Sequence, residues 1–598
     1  MITVSKLVRC VAPAMALGLA ACSASGVSEV DFANSPALRG MMSAGAVSAA
    51  DPRAQAAGED ILAAGGSATD AAIAVMLALT VVEPQSSGVG GGGFLVRADK
   101  DGVTTFDGRE TAPAAATPTR FLTEAGERLP RDQRVTSGLS VGVPGNIALA
   151  AKAHSRHGKL EWAQLFEPAI ALARDGFTMN RRLHASLARS KGRADKTQGA
   201  RDVFFGADGK PLPVGATVRN PEFARTLESM AAAGPRYMYF VMAERLAAYV
   251  ATETPQDGSM VEADIDSYEA KQRDAVCGRY RAYKVCGMGP PSSGGVAVAQ
   301  MLGQLERFDL AALGPDSPEF WHLFLESQRV AYADRDLYLA DEDYVPVPVA
   351  GLIDPAYIAK RSALISPNTA LSDIQPGKPA GASLALSVGD RPNEKGTTHF
   401  SVVDSEGNAI SYTSTIEGAF GSGLFFEGFY LNNELTDFSL TPERDGKLVA
   451  NRVEGGKRPR SSMAPTIVFD GQGKVVLVIG AAGGPTIPVQ TARSIIGVLD
   501  FGLSTEDAIA LPLIMAFGPT VIYEKGSVIE GMEEALKKRG HAQIRGISAR
   551  GKVNALRRIE GADGSVDWEV ARDPRVEPML AYEVPPEEQS EAARETMP

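Results

Sequence analysis

Cysteine is scarce in this chain: four among 598 residues, at Cys10, Cys22, Cys277 and Cys286. Two of them fall within the first 22 residues, leaving only Cys277 and Cys286 for the body of the chain. Positive charge is also in deficit, with 60 Lys and Arg against 72 Asp and Glu, a net charge of −12 and a pI near 5.3. A nucleic-acid partner, which needs a basic face to displace counterions, is therefore not expected. Lys457, Arg458 and Arg460 make only a local basic cluster, read as a solvated loop or a substrate-side wall. No repeat or low-complexity tract stands out, and beyond the N-terminus no segment is long and apolar enough for a membrane helix. His154 and His157 sit one helical turn apart in a polar stretch without a cysteine or carboxylate framework, so a solvated helix face is expected and metal is not. The hydrophobic fraction of 44% and the length permit one large core or two intimately packed ones.

What is present begins with a leader. Lys6 and Arg9 precede a short apolar run, residues 11–21, too brief to span a bilayer core of about 30 Å. It reads as a signal peptide over residues 1–22. Its end, Leu19-Ala20-Ala21-Cys22-Ser23, resembles the bacterial lipobox, in which the cysteine is lipidated. Cys22 would then anchor the protein on the periplasmic side of a bacterial cell envelope, the only membrane association expected. Cleavage after an Ala-x-Ala-like site without lipidation is the alternative, and both put the body outside the cytoplasm. Residues 23–46 read as a flexible tether, and the acidic tail from about 584 as disordered.

Cys277 and Cys286 remain. With a two-residue turn at Arg281-Ala282 they face each other in a non-hydrogen-bonded antiparallel pair, where Cα atoms lie about 4.5 Å apart. That spacing permits a disulfide, which an oxidising compartment favours. The turn lacks Asn-Gly chemistry, so free thiols stay open. Elsewhere, residues 49–82 read as two helices separated by Gly65-Gly66, and residues 94–107 as strands. Helical periodicity covers 160–175, 320–339 and 354–365. Strands are expected at 399–403, 409–414 and 475–479, and helices near 491–499 and 533–539. This mixture fits a layered α/β architecture.

The most informative stretch is Gly396-Thr397-Thr398-His399-Phe400-Ser401-Val402-Val403-Asp404, a glycine and two hydroxyls ahead of an alternating strand. A threonine hydroxyl is a poor nucleophile without an adjacent base. A cut before Thr397 would supply one, because a free α-amino group has a pKa of roughly 7.7 to 8 and is partly neutral near pH 7. Gly396 would let the backbone bend while the hydroxyl attacks the preceding carbonyl. The plain alternative is a half-buried strand entered through a Gly-Thr turn. His399 shares a strand face with Thr397 and either tunes local electrostatics or is a packed, hydrogen-bonded histidine.

Two other motifs compete. Residues 88–93 spell G-x-G-x-x-G but neither follow a strand nor open a helix, so close backbone packing is expected. Residues 138–142 spell G-x-S-x-G, yet the preceding stretch is too polar for a buried strand and Pro144 interrupts the helix that should follow.

Several separate segments decide between the readings of Thr397. These are residues 82–88 (Val-Glu-Pro-Gln-Ser-Ser-Gly) through Gly93-Phe94, Asp107-Gly108-Arg109-Glu110, Val143-Pro144-Gly145, Pro290-Pro291-Ser292-Ser293-Gly294-Gly295, Thr397-Thr398-His399, Arg458-Pro459-Arg460-Ser461-Ser462-Met463 and Gly483-Gly484. In this order, from about residue 45 to 583, the chain resembles the γ-glutamyltranspeptidase (glutathione hydrolase) family. The resemblance implies an α+β fold, the four-layer αββα sandwich of the N-terminal nucleophile hydrolases. It implies a large subunit over 47–396 and a small catalytic subunit over 397–598, made by autocleavage between Gly396 and Thr397.

The resemblance also implies roles. Thr397 is the nucleophile and Thr415 orients it, while the backbone N–H groups of Gly483 and Gly484 receive the oxyanion. Arg109, Ser461 and Ser462 match the grip on a substrate α-carboxylate, for which a planar guanidinium suits bidentate binding. Glu434, Asp437 and Glu417 match positions that contact the α-ammonium. Glu417 stands where some members have asparagine, and three acids near one ammonium would raise the pKa of one of them. Small γ-glutamyl compounds are the implied substrates, water or an amino acid the acceptors, and no cofactor is needed. Residues 439–460 hold no aromatic, so the tyrosine-bearing lid of many bacterial members is absent or built differently. An N-terminal nucleophile acylase acting on other side-chain amides, or an envelope protein with a decayed site, are the alternatives.

Overall fold

Two six-stranded sheets organise the computed structural model, which describes residues 45–383, 385–390, 396–548 and 551–582. The leader with Cys22, the tether up to residue 44 and the tail from 584 lie outside the described residues. In spatial order the first sheet runs Gly45–Ala49, Thr398–Asp404, Ala409–Thr415, Gly92–Asp99, Gly102–Gly108, Lys271–Arg273. The second runs Val566–Arg572, Val553–Glu560, Val475–Ala481, Thr466–Phe469, Tyr283–Gly287, Val276–Tyr280. Every neighbouring pair in both sheets is antiparallel.

Period-two alternation explains the layering. On the first sheet Leu95, Phe400, Val402, Ile410 and Tyr412 face one core, shared with helices Pro52–Ala63, Ala68–Val82 and Asn146–His157. Phe94, Val96, Ala98 and Val403 point the other way, into the core between the sheets. Helices Gly294–Leu305 and Ile487–Leu499 cover the second sheet, with Pro318–Tyr338 packed against the first of them. The result is the expected αββα sandwich. Each sheet contains strands from both sides of residue 397, hydrogen-bonded to one another, so a cut there leaves the sheet hydrogen bonds between the two parts in place.

The helix pair at 49–82 forms as Pro52–Ala63 and Ala68–Val82. Gly65, at φ +87°, breaks the first, and a Ser67–Asp70 capping box starts the second. Two expectations need correction. Residues 45 and 46, expected in the tether, belong instead to a strand, paired with Asp404 and Val403. The helix expected over 160–175 is two pieces, a 3₁₀ turn Trp162–Phe166 and an α-helix Glu167–Arg174. Pro168 is the cause: it has no N–H to continue a preceding turn, and it suits the first turn of a new helix. Among the described residues no helix is long and apolar enough to cross a membrane.

Cys277 and Cys286 are register partners and form a disulfide, with Cα atoms 4.1 Å apart. Tyr280 pairs with Tyr283, and Arg281 takes φ +53° in the two-residue turn between them. The bond spans a sequence separation of 9. Closing so short a loop restricts the unfolded chain modestly, so a Cys277→Ser/Cys286→Ser double variant should lose about 2 kcal/mol of stability. A urea-unfolding midpoint unchanged from that of the oxidised protein would contradict this.

Candidate active site

Register places the nucleophile candidate. Thr398 pairs with Ser414, so Thr397, one residue earlier, stands opposite Thr415 at the mouth of the first sheet. Thr397 is 3% exposed; its hydroxyl lies against the Gly396 carbonyl and 3.4 Å from the Thr415 hydroxyl. The Gly396 N–H donates to the Glu417 carbonyl, and a Cβ on Gly396 would meet that oxygen at 2.2 Å. Only glycine fits there. Thr397 itself has φ +153°, unfavourable for a β-branched residue at a cost of about 1 to 3 kcal/mol. That strain arises from the preceding carbonyl, and cutting the Gly396–Thr397 bond removes it.

A chain of contacts leads from the hydroxyl to a charged cluster. Thr415 Oγ1 accepts from the Glu417 N–H at 2.8 Å, and Glu417, at φ +68°, receives the Asn433 side-chain amide on its carboxylate. Asn433 Oδ1 in turn accepts from Gly418 N–H at 2.8 Å. The next residues form the 3₁₀ turn Glu434–Asp437, which presents both acids to Arg109. Arg109 follows the strand Gly102–Gly108. Its Nη1 donates to Glu434, its Nη2 to Asp437 at 2.5 Å and to the Arg460 carbonyl at 3.1 Å, and its Nε to the Pro459 carbonyl at 3.1 Å.

This guanidinium is buried. Burial works against its charge, yet Glu434, Asp437 and Glu110 outweigh that and hold its pKa above the ordinary value. Glu110 behaves oppositely: burial pushes it up to about 8, and Arg109 only partly offsets this, so it is mostly protonated at pH 7. Glu110 is not among the three acids singled out in the sequence.

Ser461 and Ser462 continue this wall. Ser461 Oγ accepts from Met463 N–H at 3.1 Å, and its carbonyl accepts from the backbone and hydroxyl of Ser293 at 2.8 and 2.7 Å. Ser462 Oγ accepts from Arg335 Nη2 at 2.6 Å, while Arg335 Nε donates to Ser293 Oγ at 2.8 Å. Lys457, Arg458 and Arg460 are buried beside it. The solvated-loop reading of this cluster is therefore wrong, because its charges are used internally: Lys457 Nζ donates to Glu454 at 2.8 Å, and Arg458 Nε lies 3.4 Å from Asp107.

Gly483 and Gly484, at φ +129° and +60°, turn the chain from the strand Val475–Ala481 into the 3₁₀ turn Gly484–Thr486 and the helix Ile487–Leu499. Such backbone is open to glycine, and a helix start presents N–H groups without intrahelical partners. That strand faces the one that Thr397 precedes: Ser401 Oγ donates to the Val478 carbonyl at 3.3 Å, and Gly480 packs on the His399 ring. His399 is the packed strand histidine of the two readings. It bonds Thr413 Oγ1 at 2.8 Å and Ser401 Oγ at 3.2 Å, and burial pushes its pKa down to about 3.

The competing motifs are structural. Ser140 Oγ donates to the carbonyls of Val135 and Ser137 at 2.9 and 2.8 Å. Cβ atoms on Gly90 and Gly91 would meet backbone carbonyls of Tyr430 and Thr415 at 2.2 and 2.0 Å. His154 is tied to the Leu160 carbonyl at 2.8 Å. Sequence reasoning missed Arg335 and Lys552, whose contacts join segments far apart in the chain, and Asn433, which ties its own turn to Glu417 and Gly418. Glu110 had a signal, its place beside Arg109.

A family model described as gamma-glutamyltranspeptidase matches residues 54–581. A glutathione hydrolase proenzyme from Bacillus subtilis (strain 168) is 38% identical over 484 residues, 79% of this chain and 80% of that protein. Among solved structures, a cephalosporin acylase from Bacillus halodurans superposes with a TM-score of 0.77 at 25% identity, covering 89% of this chain and 95% of that one. A Helicobacter pylori gamma-glutamyltranspeptidase gives 0.52 at 35% identity, covering 55% and 93%.

Proposed function

Because the chain belongs to the γ-glutamyltranspeptidase family, we infer that it is an autoprocessing γ-glutamyltransferase and glutathione hydrolase with Thr397 as its nucleophile. The observation that carries the assignment of Thr397 is the strained residue itself, with its hydroxyl against the Gly396 carbonyl in a setting that admits only glycine at 396. In the first half, Thr397 Oγ1 attacks the Gly396 carbonyl carbon and the carbon–nitrogen bond to Thr397 breaks, its nitrogen taking the proton. Water then hydrolyses the ester. The products are a large subunit ending at Gly396 and a small one beginning at Thr397.

In the second half the freed α-amine takes the hydroxyl proton as Oγ1 attacks the γ-carbonyl of the substrate. The N–H groups of Gly483 and Gly484 receive the oxyanion. Collapse expels the amine of cysteinyl-glycine, which takes the proton, and leaves a γ-glutamyl ester on Thr397. Water or an acceptor amine resolves it. Thr415, 3.4 Å from the nucleophile and held by the Glu417 N–H, orients the hydroxyl.

The substrate class rests on charge. Arg109 answers an α-carboxylate, assisted by Ser461 and Ser462, while Glu434, Asp437 and Glu417 answer an α-ammonium. A zwitterion inserted into the Arg109–Glu434–Asp437 cluster leaves no added charge uncompensated. A glutaryl group, lacking the ammonium, adds a bare anion beside buried carboxylates, which disfavours the acylase reading. The Leu19–Cys22 lipobox supports an envelope location with a lipid anchor.

Incubating the purified protein with glutathione tests this. Release of glutamate and cysteinyl-glycine is expected, with a fragment whose N-terminal sequence is Thr-Thr-His, and a glutaryl amide slower by roughly 10³ to 10⁴-fold. Uncut protein that releases no glutamate would overturn the reading.

A further inference from the structure

Lys552 stands where the chain enters the strand Val553–Glu560, next to the strand that leads to Gly483. Its backbone is tied to that neighbour: Ala482 N–H donates to the Lys552 carbonyl at 2.9 Å. Its Nζ reaches across the sheets and donates to the Thr397 carbonyl and to Ser86 Oγ, each at 3.4 Å. The Thr397 carbonyl lies on the far side of the residue from the scissile bond. Cleavage therefore leaves this contact intact.

A residue's own nitrogen and carbonyl oxygen are roughly 3 Å apart, so the ammonium sits within about 6 Å of the nitrogen that the cut turns into an amine. We propose that Lys552 is a positioning residue that clamps Thr397 and, by its positive charge, keeps the freed Thr397 α-amine unprotonated and able to act as the base. Two amines this close resist carrying two protons at once. The inference rests on Thr397 being the N-terminal nucleophile, as proposed above.

The surroundings favour such sharing. Arg182 and Arg189, on the helix Arg181–Arg189, add positive charge, and Glu83 pairs with Arg182. Burial and these arginines, opposed by Glu83, bring Lys552 down to about 7. On the other side, the Glu417 carboxylate is engaged by Asn433 and acts on Arg193, and His399 is neutral. In the uncut chain Lys552 therefore carries its proton below about pH 7, and once the α-amine is freed the two compete for protons as a pair. The lysine's charge then lowers the proton affinity of the α-amine, and the acid limb of kcat/KM falls at lower pH than it would without the lysine.

The test is the pH profile of kcat/KM for glutathione in Lys552→Met and Lys552→Arg beside the wild type. In Lys552→Met the acid limb should move up by about one pH unit, while Lys552→Arg, always charged, keeps it at or below the wild-type position. A purely structural clamp would lower rates without moving the limb, so coincident limbs in wild type and Lys552→Met overturn the proposal. Should Lys552→Met fail to fold or mature, ¹⁵N-threonine NMR of the mature wild type decides. The Thr397 amine should titrate below its ordinary value of about 7.7, and titration at or above that value overturns the proposal. If no N-terminal Thr397 amine exists at all, it is the functional reading that has failed, a result distinct from an active enzyme with an ordinary acid limb.

Discussion

A Thr397→Ala protein should run as one uncut polypeptide on denaturing gels and turn over glutathione at least about 10⁵-fold more slowly than the wild type. Both losses have one cause. The hydroxyl that lies against the Gly396 carbonyl is the group that would cut the chain, and the same oxygen would afterwards carry the γ-glutamyl group. Without it the Gly396–Thr397 bond stays closed, the α-amine never appears, and no ester can form. Folding should survive, because Thr397 precedes the strand Thr398–Asp404 and its side chain is not part of the hydrophobic cores. Thr397→Ser separates the two demands: a serine hydroxyl can still cut and still accept the acyl group, so cleavage and partial activity are expected. A cleaved Thr397→Ala protein, or one with appreciable turnover, contradicts the assignment.

Arg109→Met should show the reverse dissociation, with self-cleavage retained and catalysis lost. On the proposed reading the cut involves only Gly396 and Thr397 and needs no γ-glutamyl group, whereas the substrate carboxylate would need the guanidinium. Removing one partner of a buried charge pair commonly costs about 3 to 5 kcal/mol, because the other charge is left uncompensated. Here Glu434 and Asp437 would both be left, each in direct contact with Arg109 and each nearly inaccessible to solvent. A drop in kcat/KM of about 10² to 10³-fold, mostly in KM, is expected beside a measurable loss of stability. Arg109→Lys should rescue little, since a single ammonium cannot serve two carboxylates and the two carbonyls of Pro459 and Arg460 at once. Steady-state kinetics on cleaved protein, with a urea melt alongside, would measure both. Turnover within threefold of wild type in Arg109→Met would show that the carboxylate binds elsewhere.

Several features were open to reading from the residues alone because their causes are local. The Cys277–Cys286 pairing follows from strand alternation and a two-residue turn, both fixed within ten residues. The helices on either side of Gly65 follow from a glycine that stops one and a Ser67 cap that starts the next. Even Pro168, which splits the expected helix, is a local signal.

The site is different in kind. Thr397, Arg109, Glu434, Asp437 and the glycine pair could be named from motifs, but their joining could not, since Arg109 and Glu434 are 325 positions apart and Thr397 and Lys552 155. Periodicity says which face of an element is buried; it does not say which buried charge another segment will bring opposite. That depended on two sheets stacking at one register, which delivered Arg335 to Ser462, made the Lys457–Arg460 cluster an interior wall, and carried a lysine without any motif to the Thr397 carbonyl.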